Sequence, residues 1–210
     1  MKFESYRYIY PPRPKNPVSP KDLDFWDNGS LLSQAKLNGS NTLIFSDKTT
    51  FRVMNRHNQP LSNFKIKSEV ESLLSKMDGH SVINGEYLNK GKLDQFGNRF
   101  VDKLVIFDIL VKESQYLIGS TVQERVNIMN ESFNPQESKW EYIDQVSENI
   151  FMVKSYTDGF SDLFDKVTKI DMMEGLVLKR KSAKLEMGTT EDNNSKWMIK
   201  SRKPHKNYKY

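Results

Sequence analysis

Six short clusters hold the residues best suited to chemistry. In chain order they are KLNGSN from Lys36, Arg56-His57-Asn58, INGEY around Glu86, LVIFDIL around Phe107, EGLVLK from Glu174, and WMIKSR ending at Arg202. The types are a candidate nucleophile (lysine), carboxylates, further cations and an aromatic ring. Read singly, each cluster has an ordinary structural meaning. Lys36-Leu37-Asn38-Gly39 is a lysine beside a tight turn. Asn84-Gly85-Glu86 and Glu174-Gly175 are common turn sequences, and Glu86 alone is a solvated strand-end carboxylate. Arg56 is a surface arginine in a turn. Phe107 stands equally for core or for ring stacking, because Leu104 to Leu110 is apolar apart from Asp108.

The order and flanks of the clusters change that weighing. Together they resemble the covalent nucleotidyltransferase superfamily of ATP-dependent RNA and DNA ligases and mRNA capping enzymes, whose motifs run in this order and begin with K-x-D/N/H-G. The similarity spans Gln34 to Arg202. Asn38 stands where DNA ligases usually carry Asp, and Ser40-Asn41 is similar to the ending found in one group of RNA ligases. A minimal ATP-dependent RNA ligase catalytic domain is therefore the nearest resemblance. It implies that Lys36 attacks the α-phosphate of ATP to give lysyl-AMP, a role open to a lysine only in its neutral form. Gly39 would let the backbone approach the nucleotide. Phe107 would stack on adenine, Gln34 would reach its amino group, and Arg56 would contact ribose or the incoming strand. Glu86 would contact the ribose or the metal, and Glu174 would help hold Mg²⁺ (or Mn²⁺), which favours one or two carboxylates plus phosphate oxygens. Lys200 would contact the α-phosphate. Arg202 stands where the family usually has lysine, and arginine also neutralises phosphate. Lys196 competes with Lys200 for register. Lys179 reads either as a further phosphate contact or as a polar edge-strand lysine.

The elements that must carry these residues follow from pattern. Leu31 to Ala35 and Thr42 to Phe45 flank Asn38-Gly39 as a hairpin-like pair, and Phe51 to Met54 is a third strand. Val70, Leu73 and Leu74 have helical spacing within Glu69 to Lys76. Ser81 to Ile83 and Tyr87-Leu88 form a strand pair or one kinked strand. Lys103 to Leu110 is a buried strand. Ser120 or Thr121 caps a helix over Val122 to Ser132, with Glu124 in its first turn. Ile150 to Val153 is a strand, Tyr156 to Ile170 a helix, and Glu174 to Arg180 and Trp197 to Lys200 are strands. With no regular βαβ rhythm, the expected fold is α+β: an adenylyltransferase domain, ATP-grasp-like, of antiparallel sheets flanked by helices.

The remaining composition bounds the partners. The chain has 210 residues, no cysteine, three histidines and a formal net charge of +5, which excludes thiolate metal sites and disulfides and favours a polyanionic partner. Five of the eight prolines lie between Pro11 and Pro20, where neither helix nor central strand can form. Residues 1–30 are expected to form a proline-rich strap, 31–202 the nucleotidyltransferase domain and 203–210 a basic tail. No OB-fold domain is expected. Without a run approaching the ~20 apolar residues of a membrane span or a signal-peptide core, a cytoplasmic monomer acting on nucleic-acid ends is expected, RNA before DNA. A DNA ligase domain, a capping-type guanylyltransferase and an idle nucleic-acid-binding module are the competing readings.

Overall fold

The computed structural model describes residues 6–190 and 192–204. The end of the basic tail, with Lys206 and Lys209, lies outside the described residues. The strands are β1 (Arg13–Pro17), β2 (Leu31–Leu37), β3 (Ser40–Ser46), β4 (Phe51–Asn55), β5 (Ser81–Leu88), β6 (Lys92–Leu93), β7 (Arg99–Phe100), β8 (Lys103–Lys112), β9 (Gln115–Tyr116), β10 (Ile143–Gln145), β11 (Ile150–Val153), β12 (Ser155–Tyr156), β13 (Met173–Arg180) and β14 (Asn194–Arg202). The helices are α1 (Leu23–Trp26), α2 (Lys67–Leu74), α3 (Val122–Phe133) and α4 (Phe160–Val167).

Two larger sheets carry the fold, which is mixed α+β as expected. The five-stranded sheet has the order β1-β14-β13-β2-β12, and the other has β10-β11-β8-β5-β3-β4 with β9 on the flank of β8. Pairing is mostly antiparallel. The exceptions are β11 with β8 and β1 with β14, both parallel. Among the described residues none of the sheets closes into a barrel. Leu31, Ala35, Leu37, Leu176 and Leu178 join Phe160, Leu163, Phe164 and Val167 of α4 in one buried cluster. Ile44, Ile83, Ile109 and Val111 join Val70 and Leu74 of α2 and Val122, Val126 and Met129 of α3 in another. Burying these apolar faces is the main force ordering the strands.

Local signals explain several boundaries. Thr121 caps α3: its hydroxyl accepts from the Glu124 N–H at 3.2 Å, and the Glu124 carboxylate accepts from the Thr121 N–H at 2.7 Å. That reciprocal box satisfies two donors a helix start leaves open. The residues from Ser81 to Leu88 form one strand with register shifts, so the kinked-strand reading holds over the pair. The helix expected over Tyr156 to Ile170 is shorter: Tyr156 belongs to β12, and α4 begins at Phe160 after Gly159 adopts a left-handed conformation.

The hairpin expected at Asn38-Gly39 does not form. Leu31–Leu37 pairs with β13 and β12, whereas Ser40–Ser46 pairs with β4 and β5. The turn instead passes the chain from one sheet to the other. A turn sequence specifies a reversal, and only the partners available to each flank decide which sheet they join. The proline run is not merely draped over the surface either. Residues 13–17 lie on the edge of the five-stranded sheet, where missing N–H donors are tolerated.

Candidate active site

A cavity of about 550 Å³ draws its walls from both sheets. Gln34 and Lys36 lie two apart on β2 and so share a face, while Ala35 and Leu37 point into the core under α4. Gln34, Lys36, Gly39, Arg56, Glu86, Phe107, Glu174, Lys179, Lys200 and Arg202 all line the cavity. Asn38 does not line it, although its backbone N–H donates to the Met172 carbonyl at 2.9 Å and so anchors the crossing turn. Lys196 is exposed and outside the lining, whereas Lys200 is within it.

Close backbone approaches bring the charged groups together. Gly175 has φ 147 and pairs with Arg202; a Cβ at Gly175 would drive into the Ser201 carbonyl. Only glycine fits there, and the close approach sets Glu174 beside β14. Glu174 Oε2 is 2.7 Å from Lys36 Nζ and 3.5 Å from Arg202 Nε. A Cβ at Gly39 would strike the Tyr87 carbonyl, and the Gly39 N–H donates to Glu86 Oε1 at 3.0 Å. The crossing turn is thereby held against the C-terminal end of β5.

The lining carries Arg13, Lys15, Lys36, Arg56, Lys179, Lys200 and Arg202 against two carboxylates, Glu86 and Glu174. Burial pushes the Glu86 carboxyl up to about 7; Lys36 and the Gly39 N–H oppose the rise, and Glu174 adds to it. Lys200 donates to the Pro14 carbonyl at 3.2 Å. Burial first, then the charges of Arg202, Lys36, Arg13 and Arg56, hold its ammonium below the usual lysine value. Such a surplus of positive charge in a partly desolvated cleft suits a phosphate-rich ligand.

Lys179 is not an edge-strand lysine. Its strand lies between β14 and β2, and the residue is 3% exposed. Its Nζ donates to the Phe107 carbonyl at 3.1 Å and sits 5.3 Å from the Phe107 ring centroid. Burial pulls its ammonium down to about 8; Asp108 opposes that shift and Arg125 adds to it. Phe107 itself is half-buried with its ring on the cavity wall, whereas its neighbours Ile106 and Asp108 are buried.

Two carboxylates from different strands can offer oxygen ligands to one divalent cation whose other ligands are phosphate oxygens. Among the described residues no group of three or more His, Cys, Asp or Glu gathers as a self-sufficient metal site. Glu86 and Glu174 both line the cavity, and they could contribute oxygens to such an ion without forming a protein-only cage.

Sequence reasoning missed the contribution of residues 12–15. Pro12, Arg13, Pro14 and Lys15 line the cavity, and Arg13 lies 3.6 Å from Asp192. Their signal was hidden because the proline run reveals an extended chain but not its docking site. Asn41 and His57 also line the cavity.

The family described as the ATP dependent DNA ligase domain matches residues 18–201. No curated protein matches the sequence. Mycobacterial DNA ligase D, complexed with ATP and MES, shares the fold with a TM-score of 0.67 at 15% identity, over 96% of this chain and 62% of that one. A Lig E DNA ligase gives 0.57 at 17% identity, over 93% and 70%. The ATP-dependent DNA ligase of bacteriophage T7, in complex with ATP, gives 0.53 at 16%, over 92% and 68%. The chain thus spans less than two thirds of the mycobacterial ligase chain.

Proposed function

The chain belongs to the ATP dependent DNA ligase domain family, and from that premise we propose that it is the catalytic domain of a polynucleotide ligase that is charged with AMP on Lys36. The observation carrying this reading is Lys36 Nζ at 2.7 Å from Glu174 in a cavity that also holds Phe107, Lys200 and Arg202. Residues 31–202 carry the catalysis in this reading, with Pro12, Arg13, Pro14 and Lys15 completing the wall.

The first step forms the bond between Lys36 Nζ and the α-phosphorus of ATP. The bond from that phosphorus to the bridging oxygen breaks, and pyrophosphate leaves with the electron pair. The proton lost by Lys36 passes to Glu174. Lys200 and Arg202 supply cations to the phosphate as its charge develops, Phe107 offers a ring to the purine, and Arg56 meets the ribose. Glu86 and Glu174 would hold Mg²⁺ or Mn²⁺, which when bound neutralises phosphate oxygens. AMP is then transferred to a 5′-phosphate, and a 3′-hydroxyl attacks to seal the strand and release AMP.

The substrate is proposed to be DNA. The family match supports this over the RNA ends suggested by Asn38, Ser40 and Asn41. Asn38 does not line the cavity, which weakens its weight in that comparison.

The test is intact mass after incubation with ATP and Mg²⁺. One added AMP is expected, lost in Lys36→Ala; uptake by Lys36→Ala overturns the nucleophile assignment. A panel of pre-adenylated DNA and RNA nicks then decides the substrate. Sealing of RNA ends in preference to DNA nicks would restore the RNA reading and leave the lysyl-AMP chemistry standing.

A further inference from the structure

Gln34 lines the cavity from β2, yet its amide nitrogen is engaged by a residue outside the lining. Nε2 donates to the Ser155 hydroxyl at 3.0 Å. Ser155 lies directly opposite Gln34 in the antiparallel pairing of β12 with β2, on the outer edge of the five-stranded sheet. It is exposed and is not part of the cavity lining. The two polar ends of a terminal amide point opposite ways, one a double donor and the other an acceptor. With the nitrogen held by Ser155, the oxygen Oε1 is the end left for the cavity.

That orientation has a chemical reading. Adenine carries an exocyclic amine, a donor, where guanine carries an oxygen, an acceptor. An amide oxygen facing the base pairs with the first and is opposed to the second. Gln34 is 2% exposed, so water cannot readily relieve a mismatch there, and a buried polar group without a partner is costly. A glutamate at this position would be an acceptor at both ends. Glutamine is one only while something fixes its rotation.

Resting on the reading that the cavity takes a purine nucleotide, we infer that Ser155 is the specificity-positioning residue of the site: by holding the Gln34 amide nitrogen on β12 it presents Oε1 to the base and selects adenine over guanine. Ser155 acts through Gln34 and does not itself touch the nucleotide.

The test compares AMP and GMP binding to the full chain by calorimetry in four proteins: wild type, Ser155→Ala, Ser155→Asp and Ser155→Lys. A carboxylate accepts only, so Ser155→Asp keeps the amide nitrogen and the AMP preference. A lysine donates only, so Ser155→Lys turns the amide oxygen outward and the preference shifts toward GMP. Ser155→Ala releases the rotation, and the preference narrows by about 10-fold, the scale of one well-made buried hydrogen bond. A purely structural role for Ser155 would not make the Asp and Lys variants diverge. An AMP-to-GMP ratio that is the same in all four proteins overturns the proposal, as does a wild-type preference retained by Gln34→Leu. Wild type that binds neither nucleotide overturns this proposal and the nucleotide reading together. Wild type that binds AMP but gains no mass on Lys36 from ATP overturns only the lysyl-AMP chemistry.

Discussion

Asp108 follows Phe107 on β8 and is buried with Arg125 of α3 in a two-pronged ion pair, at 2.8 Å to Nε and 3.1 Å to Nη2. Arg125 also donates to the Ser120 carbonyl at 2.8 Å. Burial alone would raise the Asp108 carboxyl, but Arg125 and then Lys179 outweigh it and the value falls below the usual range. The unfolded chain therefore binds that proton more tightly, so the stability from this group is present above the ordinary carboxylate value and is lost as pH falls through the lower folded one. Melting followed from neutral pH into acid should show a smaller loss in Asp108→Asn than in wild type, because other lowered carboxyls, including Asp47, Glu69, Asp94, Asp102 and Asp171, remain in both. Arg125→Met should lower stability by about 3–5 kcal/mol, because it leaves a buried carboxylate unpaired; a near-normal melt would refute this account of the pair. The Lys36–Glu174 pair behaves differently, with side chains 18% and 26% exposed. Lys36→Met and Glu174→Gln should each cost about 1 kcal/mol or less, measured by denaturant melts, while abolishing AMP uptake. At this scale the sequence was informative where the order of the motifs singled a residue out. Lys36, Glu174 and Lys200 stood out by motif. Arg13 and Ser155 did not, since nothing in their neighbours distinguishes a wall residue or an amide holder from an ordinary surface polar group.

Strand and helix placement was legible wherever a segment carried its own signal. The apolar run of β8 folds as read, and of the two cap candidates for α3, Ser120 and Thr121, it is Thr121 that takes the role. Thr121→Ala should remove about 1 kcal/mol by thermal melting. Pairing partners were less legible, because a strand's pattern gives its buried face but not its neighbour. That is why β2 and β3 looked like a hairpin and belong to different sheets. It is also why Trp197 to Lys200 seemed short: β14 runs from Asn194, extended by its pairing with β1 and β13. Gly175 is the point where that pairing is tightest. Gly175→Ala should destabilise the chain by at least ~2 kcal/mol, through both the positive φ and the collision with the Ser201 carbonyl. A melt like wild type would show that β13 and β14 can part there without harm.

At the scale of the whole molecule, seven lysines and arginines line one cavity against two carboxylates. Binding of a nicked duplex should therefore weaken steeply with salt, the logarithm of affinity falling linearly with that of the salt concentration; Lys200→Ala should flatten the slope by about one ion, as read by fluorescence anisotropy. The order of strands in the two sheets adds a matter of timing. Every strand of the larger sheet lies between residues 40 and 153, so it can assemble while later residues are still being synthesised. The other sheet cannot. Its β2, which bears Lys36, must wait for β13 and β14, and Lys200 and Arg202 arrive only on the last of these. A nascent chain thus carries Lys36, the proposed nucleophile, from early on but lacks the cations that line the cavity with it. The parallel pairing of β1 with β14 joins the first strand to the last, so the cavity walls are complete only when synthesis has passed Arg202; on the proposed reading an unfinished chain should take up no AMP from ATP.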